Sequence, residues 1–208
     1  MSRAADLRLL ERTGALFAQL FFIAAGVYLG NRADAWKEER NHREAARAAL
    51  VNFRAEITKN DSVLGREMAY RARLARGFAP FMQEQAHPPA SLDAMFSRAG
   101  WNGFAAVPFR HTAWDVALAD QSLTYLDQRL AFAIADVYLA QQRYDEFQLT
   151  TQRAALNPAS LRPESLGGLG MLLAVYYNDT ARSNDPQLAA QYHRVLPRID
   201  SAIARLSR

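Results

Sequence analysis

The chain has 208 residues and a mass of 23.3 kDa, enough for one ordinary domain with an appendage but too little for two large domains. Half of the residues are hydrophobic and 22% are charged, which excludes intrinsic disorder and repetitive fibrous classes. The chain contains no cysteine, which excludes disulfide frameworks, thiolate metal sites and cysteine nucleophiles, and its net charge is a mild +4.

The amino-terminal segment predicts a membrane helix after a short tail over 1–12. An uncharged stretch covers 13–31, and its apolar centre of about 17 residues would span roughly 25 Å as a helix, at the short end of what crosses a bilayer. An Ala-x-Ala pattern ending at Ala35 also fits a cleaved signal peptide, but Arg32 and Asp34 place charge before that cut. A retained membrane helix is the prediction, with a signal peptide and a buried soluble helix as alternatives.

Small residues recur four or eight positions apart along one side of this predicted helix. They are Gly14, Ala18, Gly26 and Gly30. Small side chains let a second helix approach closely in lipid, so this stripe predicts packing against other membrane protein subunits. The alternative is that glycine and alanine are simply frequent in membrane helices.

A basic amphipathic helix is predicted over 32–85, directly after the span. Eleven basic and seven acidic residues occur between Arg32 and Arg76, so most of the excess positive charge is juxtamembrane. This position predicts contact with anionic lipid headgroups, through a membrane interface formed by Arg32, Trp36, Lys37 and Arg40. Acidic residues interleave with the basic ones and no aromatic stacking residues accompany them, which argues against nucleic acid as a partner.

Mostly apolar residues recur along the same helix at alternating spacings of four and three, which is the pattern of one buried face. The positions are Ala46, Leu50, Phe53, Ile57, Asn60 and Leu64. Such a stripe is more typical of an ordinary domain core than of a coiled-coil seam.

The remaining chain, 86–208, predicts a helical bundle domain. Ser91 is placed to cap a short helix that Gly100 ends, and Thr112 with Asp115 resembles a capping box. Between these helices lies a loop rich in aromatic residues. This loop either packs onto the core as a lid or forms a docking surface, with the candidate docking residues Trp101, Phe104 and Phe109.

Two longer helices and a compact one complete the prediction. A long helix is expected to follow a break near 120–122 and to run to about Leu156. Its stripe turns polar toward the end and consists of Leu126, Leu130, Ala133, Ile134, Val137, Gln141, Tyr144 and Gln148. The glycine-rich segment 167–170 opens an apolar helix that is too short to cross a bilayer and lacks the residues of a phosphate-binding loop. A last helix starts at 184–186 and carries on one side Leu188, Tyr192, Val195, Leu196, Ile199, Ile203 and Leu206. The predicted fold class is therefore all-α: an amino-terminal transmembrane helix continuing into an extramembrane bundle of four to five helices.

Three parts of the sequence share a family pattern. The run from Gly26 to Arg40 combines a short apolar span with an N-x-W-x-E-E-R-like stretch, Leu50 to Asn60 has an L-x-x-E-I-x-x-N character, and Thr112 to Leu118 resembles a T-x-W-[ED]-A-L segment. Together these resemble an uncharacterised group of bacterial single-pass membrane proteins over about half of the chain. The resemblance implies an anchored helical domain with its amino end in the cytoplasm, and it implies no activity.

The residues that carry enzyme chemistry do not form a recognisable pattern. The four histidines are scattered, no serine lies in a nucleophile elbow, and no pair of carboxylates is visibly placed for acid–base work. His111 is expected to have a capping or surface role, and Asp136 to lie on a solvated face or to make a structural hydrogen bond. The prediction is a protein that is not an enzyme and has no cofactor and no metal.

Two functions are predicted from these features. The first is a non-catalytic accessory or structural subunit, anchored by one transmembrane helix in a larger bacterial membrane complex, for which respiratory and photosynthetic complexes are plausible hosts. The alternative is an extracytoplasmic ligand-sensing or binding module that signals through a separate partner. The predicted location is the bacterial inner membrane. Basic residues after the span favour a cytoplasmic carboxyl-terminal domain, whereas the resemblance and the ready translocation of large domains favour a periplasmic one, which is the prediction.

Overall fold

A computed structural model gives the backbone of residues 3–83 and 89–207, and it describes no side chain for 3–27, 29–31 or 33. Within these ranges every regular element is a helix, which confirms the predicted all-α class. The α-helices are α1 (Arg3–Phe78), α2 (Leu92–Ala99), α3 (Thr112–Ala119), α4 (Gln128–Ala155), α5 (Leu166–Asp179) and α6 (Asp185–Leu206). Short 3₁₀ turns cover Ala79–Met82, Ser122–Tyr125 and Pro163–Ser165, and a π-helical turn, Thr180–Asn184, joins α5 to α6.

The chain divides into two compact units, Met1–Ala45 and Ala46–Arg208. In the first unit the backbone from Arg3 onward belongs to α1, and its described side chains are exposed apart from the half-buried His42 and Ala45. Among the helices that the structure describes, none is both long enough and apolar enough to cross a membrane. The predicted span, 13–31, falls outside the described side chains except for Tyr28.

In the second unit, α1 and α6 run antiparallel along a common seam. Polar contacts recur every seven residues on both helices: Arg47 with Ser207, Arg54 with Asp200, and Asp61 with His193. A repeat of seven keeps the same faces of two helices together over several turns, so these contacts define the antiparallel register of α1 and α6. Helix α4 packs on the inner side of this pair and is antiparallel to α6, since Gln141 contacts Tyr192 and Tyr144 contacts Asp185.

Two hydrophobic clusters fill the second unit. The first core joins α1, α4 and α6 and includes the predicted stripe residues Leu50, Phe53, Ile57 and Leu64, all at most 1% exposed. The second core joins the end of α1, its following 3₁₀ turn, α2, the last turn of α4, and α5. The buried members of this second core are Leu74, Phe78, Phe81, Met95, Ala99, Ala155, Leu166, Leu169, Leu173, Ala174, Tyr176 and Tyr177.

The ends of α2 are as predicted. The Ser91 hydroxyl accepts a hydrogen bond from the Ala94 backbone N–H at 3.1 Å, and Gly100 ends the helix in the left-handed conformation, at φ 65°. The predicted capping box of α3 is wrong, because Thr112 is the first helical residue and its predecessor, His111, makes no side-chain cap. The carboxylate of Glu56, on α1, accepts the Ala113 N–H instead, with both oxygens at 3.1 Å.

Candidate functional site

A fully buried ion pair links the helices between the two cores. The Arg71 Nε donates to the Asp185 carboxylate at 2.9 Å, and both side chains are at most 1% exposed. The Tyr144 hydroxyl donates to the other carboxylate oxygen at 2.6 Å, and the Arg71 guanidinium lies 5.7 Å from the centre of the Tyr144 ring. Removing a charge from water is costly, so this arrangement persists only because each ion has a close partner.

The ion pair sits where α6 begins. Asp185 is the first residue of α6, directly after the π-helical turn, and π-turns are inserted rarely and often next to functional sites. Burial raises the pKa of Asp185, while Arg71 and the Tyr144 hydroxyl act in the opposite direction. Among the described side chains, the Arg71 Nη2 and the Thr180 Oγ1 are buried without a hydrogen-bond partner, so the polar centre is incompletely satisfied.

A cavity of about 610 Å³ opens beside this ion pair, between α4, the π-turn and α6. Tyr144 belongs to both features, because its hydroxyl binds Asp185 and the residue also lines the cavity. The other lining residues are Ala140, Arg143 and Phe147 from α4, and Asp179, Ser183, Asn184, Gln187, Leu188 and Gln191 from the α5–α6 segment. The volume is within the range of small-molecule sites, and the lining is unusually rich in polar side chains.

A second cavity, of about 560 Å³, lies between α3 and α4. It is walled by Trp114, whose ring stacks on Tyr138 at 5.3 Å, and by Leu139. His111 lies at its edge and contacts Asp145 at 3.1 Å. Burial raises the pKa of Asp145, and its contact with His111 opposes that shift. This pair joins the start of α3 to α4, a structural role consistent with the position of His111.

The predicted aromatic loop lies on the second unit's own helices. Phe109 is buried and packs edge-to-face on Tyr144 at 5.4 Å between ring centres. Trp101 stacks on Phe96 at 4.1 Å and donates from Nε1 to the Tyr177 hydroxyl at 3.1 Å. Phe104, half-buried, meets the Trp101 ring edge-on at 5.5 Å. These contacts place Phe109 in the first core and pack the half-buried Trp101 and Phe104 against the second, as expected of a loop that covers the core, and a docking role stays a prediction.

Polar side chains of α1 and α4 hold the backbone of this loop. The Asn60 amide exchanges two hydrogen bonds with the Arg110 backbone, at 2.9 and 3.0 Å, and the Gln148 amide does the same with Val107, at 2.9 and 3.3 Å. The Arg71 Nη1 donates to the Ala105 carbonyl at 3.1 Å. These buried polar residues therefore satisfy backbone groups that an irregular, buried segment leaves unpaired.

The predicted interface residues Arg32, Trp36, Lys37 and Arg40 are all exposed. Trp36 is 66% exposed, and the Arg40 guanidinium pairs with Glu44 at 2.9 Å one helical turn away. The predicted packing residues Gly14, Ala18, Gly26 and Gly30 lie outside the described side chains. The membrane interface and the glycine stripe stay predictions.

Sequence reasoning missed the residues of the ion pair and of the adjacent cavity. Asp185 was part of the segment expected to start a helix, and Arg71 was counted only among the juxtamembrane basic residues. A signal existed for Arg71: it follows Leu64 by seven residues, so it continues the buried α1 stripe where a solvated cation would not be expected. No group of three or more histidine or acidic side chains among the described residues is arranged to hold a metal ion.

Comparison with protein-family models, with curated proteins and with solved structures found no significant match to this chain. The class of protein is therefore defined by its own fold and cavities: an all-α helical domain with a buried ion pair and an adjacent polar cavity.

Proposed function

We propose that this protein is a non-catalytic accessory subunit of a bacterial membrane complex, held there by its amino-terminal helix. The observation that carries the proposal is the solvent exposure of α1 before Ala46, where every described side chain is exposed or half-buried. Tyr28 and Trp36, for example, are 59% and 66% exposed.

Tyrosine and tryptophan side chains are enriched where a membrane helix meets water, so their exposure here favours a lipid interface. The uncharged stretch 13–31 is apolar and long enough for a short membrane helix. The glycine and alanine stripe within it provides a surface for close helix packing. The exposed Arg32, Lys37 and Arg40 follow directly and would contact anionic headgroups. These features together favour a subunit anchored in lipid and packed against a neighbouring membrane helix.

Gentle detergent extraction of the full chain, followed by native mass spectrometry, tests this proposal. We expect the protein to migrate with at least one other membrane protein. Replacing Gly26 and Gly30 by leucine should release it from that complex while the helical domain stays folded, because bulky side chains block close approach of the partner helix.

Val27→Leu is the matched control, since it adds bulk to the same helix away from the stripe and should leave the complex intact. A wild-type chain that migrates alone as a monomer, or that remains in the aqueous phase without detergent, would overturn the proposal. If the Gly26→Leu, Gly30→Leu variant keeps the complex, the glycine stripe does not form the interface with the partner.

A second candidate function, a ligand-binding module that signals through a separate partner, is favoured by the cavity between α4 and α6. Its volume of about 610 Å³ and its convergent polar lining are the features expected of a small-molecule site. Screening the full chain in detergent for small molecules that raise its unfolding temperature tests this function, because a ligand that binds only the folded state stabilises it.

A further inference from the structure

The cavity between α4 and α6 contains one residue of each charge. Arg143, on α4, is its one cation, and Asp179, at the end of α5, is its one carboxylate among the described lining residues. Its remaining polar residues are neutral hydroxyl and amide side chains from the π-turn and α6. A ligand that carried a single sign of charge would therefore leave one of the two ionic groups without a counterpart.

Neither charge is used by the fold. Within the described part of the chain, Arg143 makes no hydrogen bond and no ion pair, and Asp179 accepts one long hydrogen bond, at 3.4 Å, from Asn178. Both side chains are exposed, so solvent rather than another protein group surrounds them in the free protein. Two opposite charges that line one cavity and remain unpaired with each other are available to a ligand.

A further polar atom in this cavity lacks a partner. The Gln191 Oε1 is buried and accepts no hydrogen bond from any described group, although Gln191 lines the cavity. A buried acceptor without a donor costs free energy, which a ligand N–H or O–H would recover once the Gln191 amide turns its oxygen toward the cavity. Phe147 and Leu188 add apolar surface to the same cavity, and Tyr144 carries an aromatic ring whose hydroxyl is already bound to Asp185.

We propose that this cavity binds a zwitterion with one carboxylate, one ammonium group and an apolar side chain, such as a free α-amino acid. Arg143 binds the carboxylate, Asp179 binds the ammonium group, and Gln191 accepts a further hydrogen bond from the ligand. Charge-assisted hydrogen bonds to both ends fix the ligand, and Phe147 and Leu188 contact its side chain. This inference rests on the second proposed function, ligand binding, and is independent of membrane anchoring.

Titration calorimetry on the full chain in detergent tests the proposal with three matched probes. L-phenylalanine has both charges, phenethylamine lacks the carboxylate, and 3-phenylpropionate lacks the ammonium group. We expect L-phenylalanine to bind, and each analogue to bind about tenfold or more weakly, because each loses one charge-assisted contact. L-leucine and L-glutamine, titrated in parallel, report on the preference for an apolar side chain.

Variants separate the roles of the two charges. Arg143→Gln and Asp179→Asn should each weaken L-phenylalanine binding by about tenfold or more. Arg153→Gln is the matched control, since Arg153 is an exposed arginine on the same helix that lines none of these cavities, and it should leave binding unchanged. Circular dichroism and the unfolding temperature of each variant verify that it is folded.

Two results would overturn the inference and can be told apart. If 3-phenylpropionate or phenethylamine binds as tightly as L-phenylalanine, with Arg143→Gln or Asp179→Asn still abolishing binding, the cavity takes a singly charged ligand and only the ligand class is wrong. If no amino acid binds and no other small molecule raises the unfolding temperature, both the inference and the ligand-binding function fail.

Discussion

The two cores of the second unit are built differently. The first core takes most of its residues from regular stripes on α1, α4 and α6, so each helix presents the same face over several turns. The second core is assembled from five short segments and contains stacked rings, such as Phe78 on Tyr177 at 5.7 Å. Periodic stripes keep the same helix faces in contact over several turns, whereas a junction of helix ends depends on individual close contacts.

Glycine shows this dependence most clearly. A Cβ atom on Gly77 would lie 2.4 Å from the carbonyl oxygen of Ala99, so α1 and α2 approach backbone to backbone at that point. Gly65, earlier on the same helix, is exposed to solvent and has open space around the same position. The steric limit on α1 therefore applies where its end meets α2 in the second core.

The largest expected effect is unfolding at alkaline pH, which tests whether the two cores unfold together. Burial raises the pKa of five tyrosines: that of Tyr176 to about 12, and those of Tyr138, Tyr144, Tyr177 and Tyr192 also above the ordinary value. An unfolded tyrosine ionises near pH 10, so the stabilisation is complete below about pH 10 and is lost as the pH rises above it.

We expect these five tyrosines to ionise in one cooperative step that coincides with loss of helix. Tyrosinate absorbance and far-ultraviolet circular dichroism, followed along the same titration, measure the two events. Ionisation of Tyr176 and Tyr177 well before the loss of helix would instead show that the second core opens separately from the first.

Removing one partner of the buried ion pair between the cores has the next largest expected effect. Arg71→Met leaves the Asp185 carboxylate buried without its counter-ion and is expected to cost about 3–5 kcal/mol of unfolding free energy. Urea denaturation measures this loss. The double variant Arg71→Met, Asp185→Asn removes both charges and should recover part of the stability. A double variant as unstable as the single one would indicate that the lost hydrogen bond to the Ala105 carbonyl dominates.

The glycine contacts give a smaller, directional test of the difference between the cores. Gly77→Ala is expected to destabilise the protein by about 1–3 kcal/mol, because backbone atoms of Ala99 must move. Gly65→Ala, the matched control, should stabilise it by up to about 1 kcal/mol through the higher helix propensity of alanine. Equal effects at the two positions would contradict the close backbone contact at Gly77. Both values come from the midpoints of urea unfolding.

The smallest expected effect concerns the α1–α6 seam at its exposed edge. Arg54 and Asp200 are each about half exposed, and such ion pairs contribute less than about 1 kcal/mol. Arg54→Ala should therefore change the unfolding free energy only slightly, and the change should shrink further in high salt. A loss comparable to that of Arg71→Met would show that the register of the seam depends on its exposed contacts.

Much of the first core could be predicted because it follows helical periodicity. The stripe from Ala46 to Leu64 is buried at every predicted position, and Leu130, Ile134 and Val137 on α4 are also buried as expected. The polar residues Asn60 and Gln148 belong to these stripes and are buried as well. The stripes do not show that these two side chains bond the backbone of Arg110 and Val107. Periodicity identifies which face of a helix is covered, and it contains no information about the segment that covers it.

The cavity and its charges could not be predicted, because their residues are distant in the chain. Arg143 and Asp179 are separated by 35 intervening residues and line one cavity only because α4 packs against the α5–α6 segment. The same applies to Glu56, which replaces the local cap expected at Thr112. Capping motifs describe neighbours along the chain, so a carboxylate supplied by another helix lies beyond their reach.

The amino-acid sequence by itself determined the helical class, the buried face of each long helix and the ends of α2, because these depend on spacing and on local backbone preferences. The tertiary structure decided which buried polar groups meet, since burial requires a partner and the partners come from other helices. Arg71 illustrates both levels. Its position on α1 follows from the seven-residue spacing after Leu64, and its pairing with Asp185 and the Ala105 carbonyl follows only from how the helices and the loop pack.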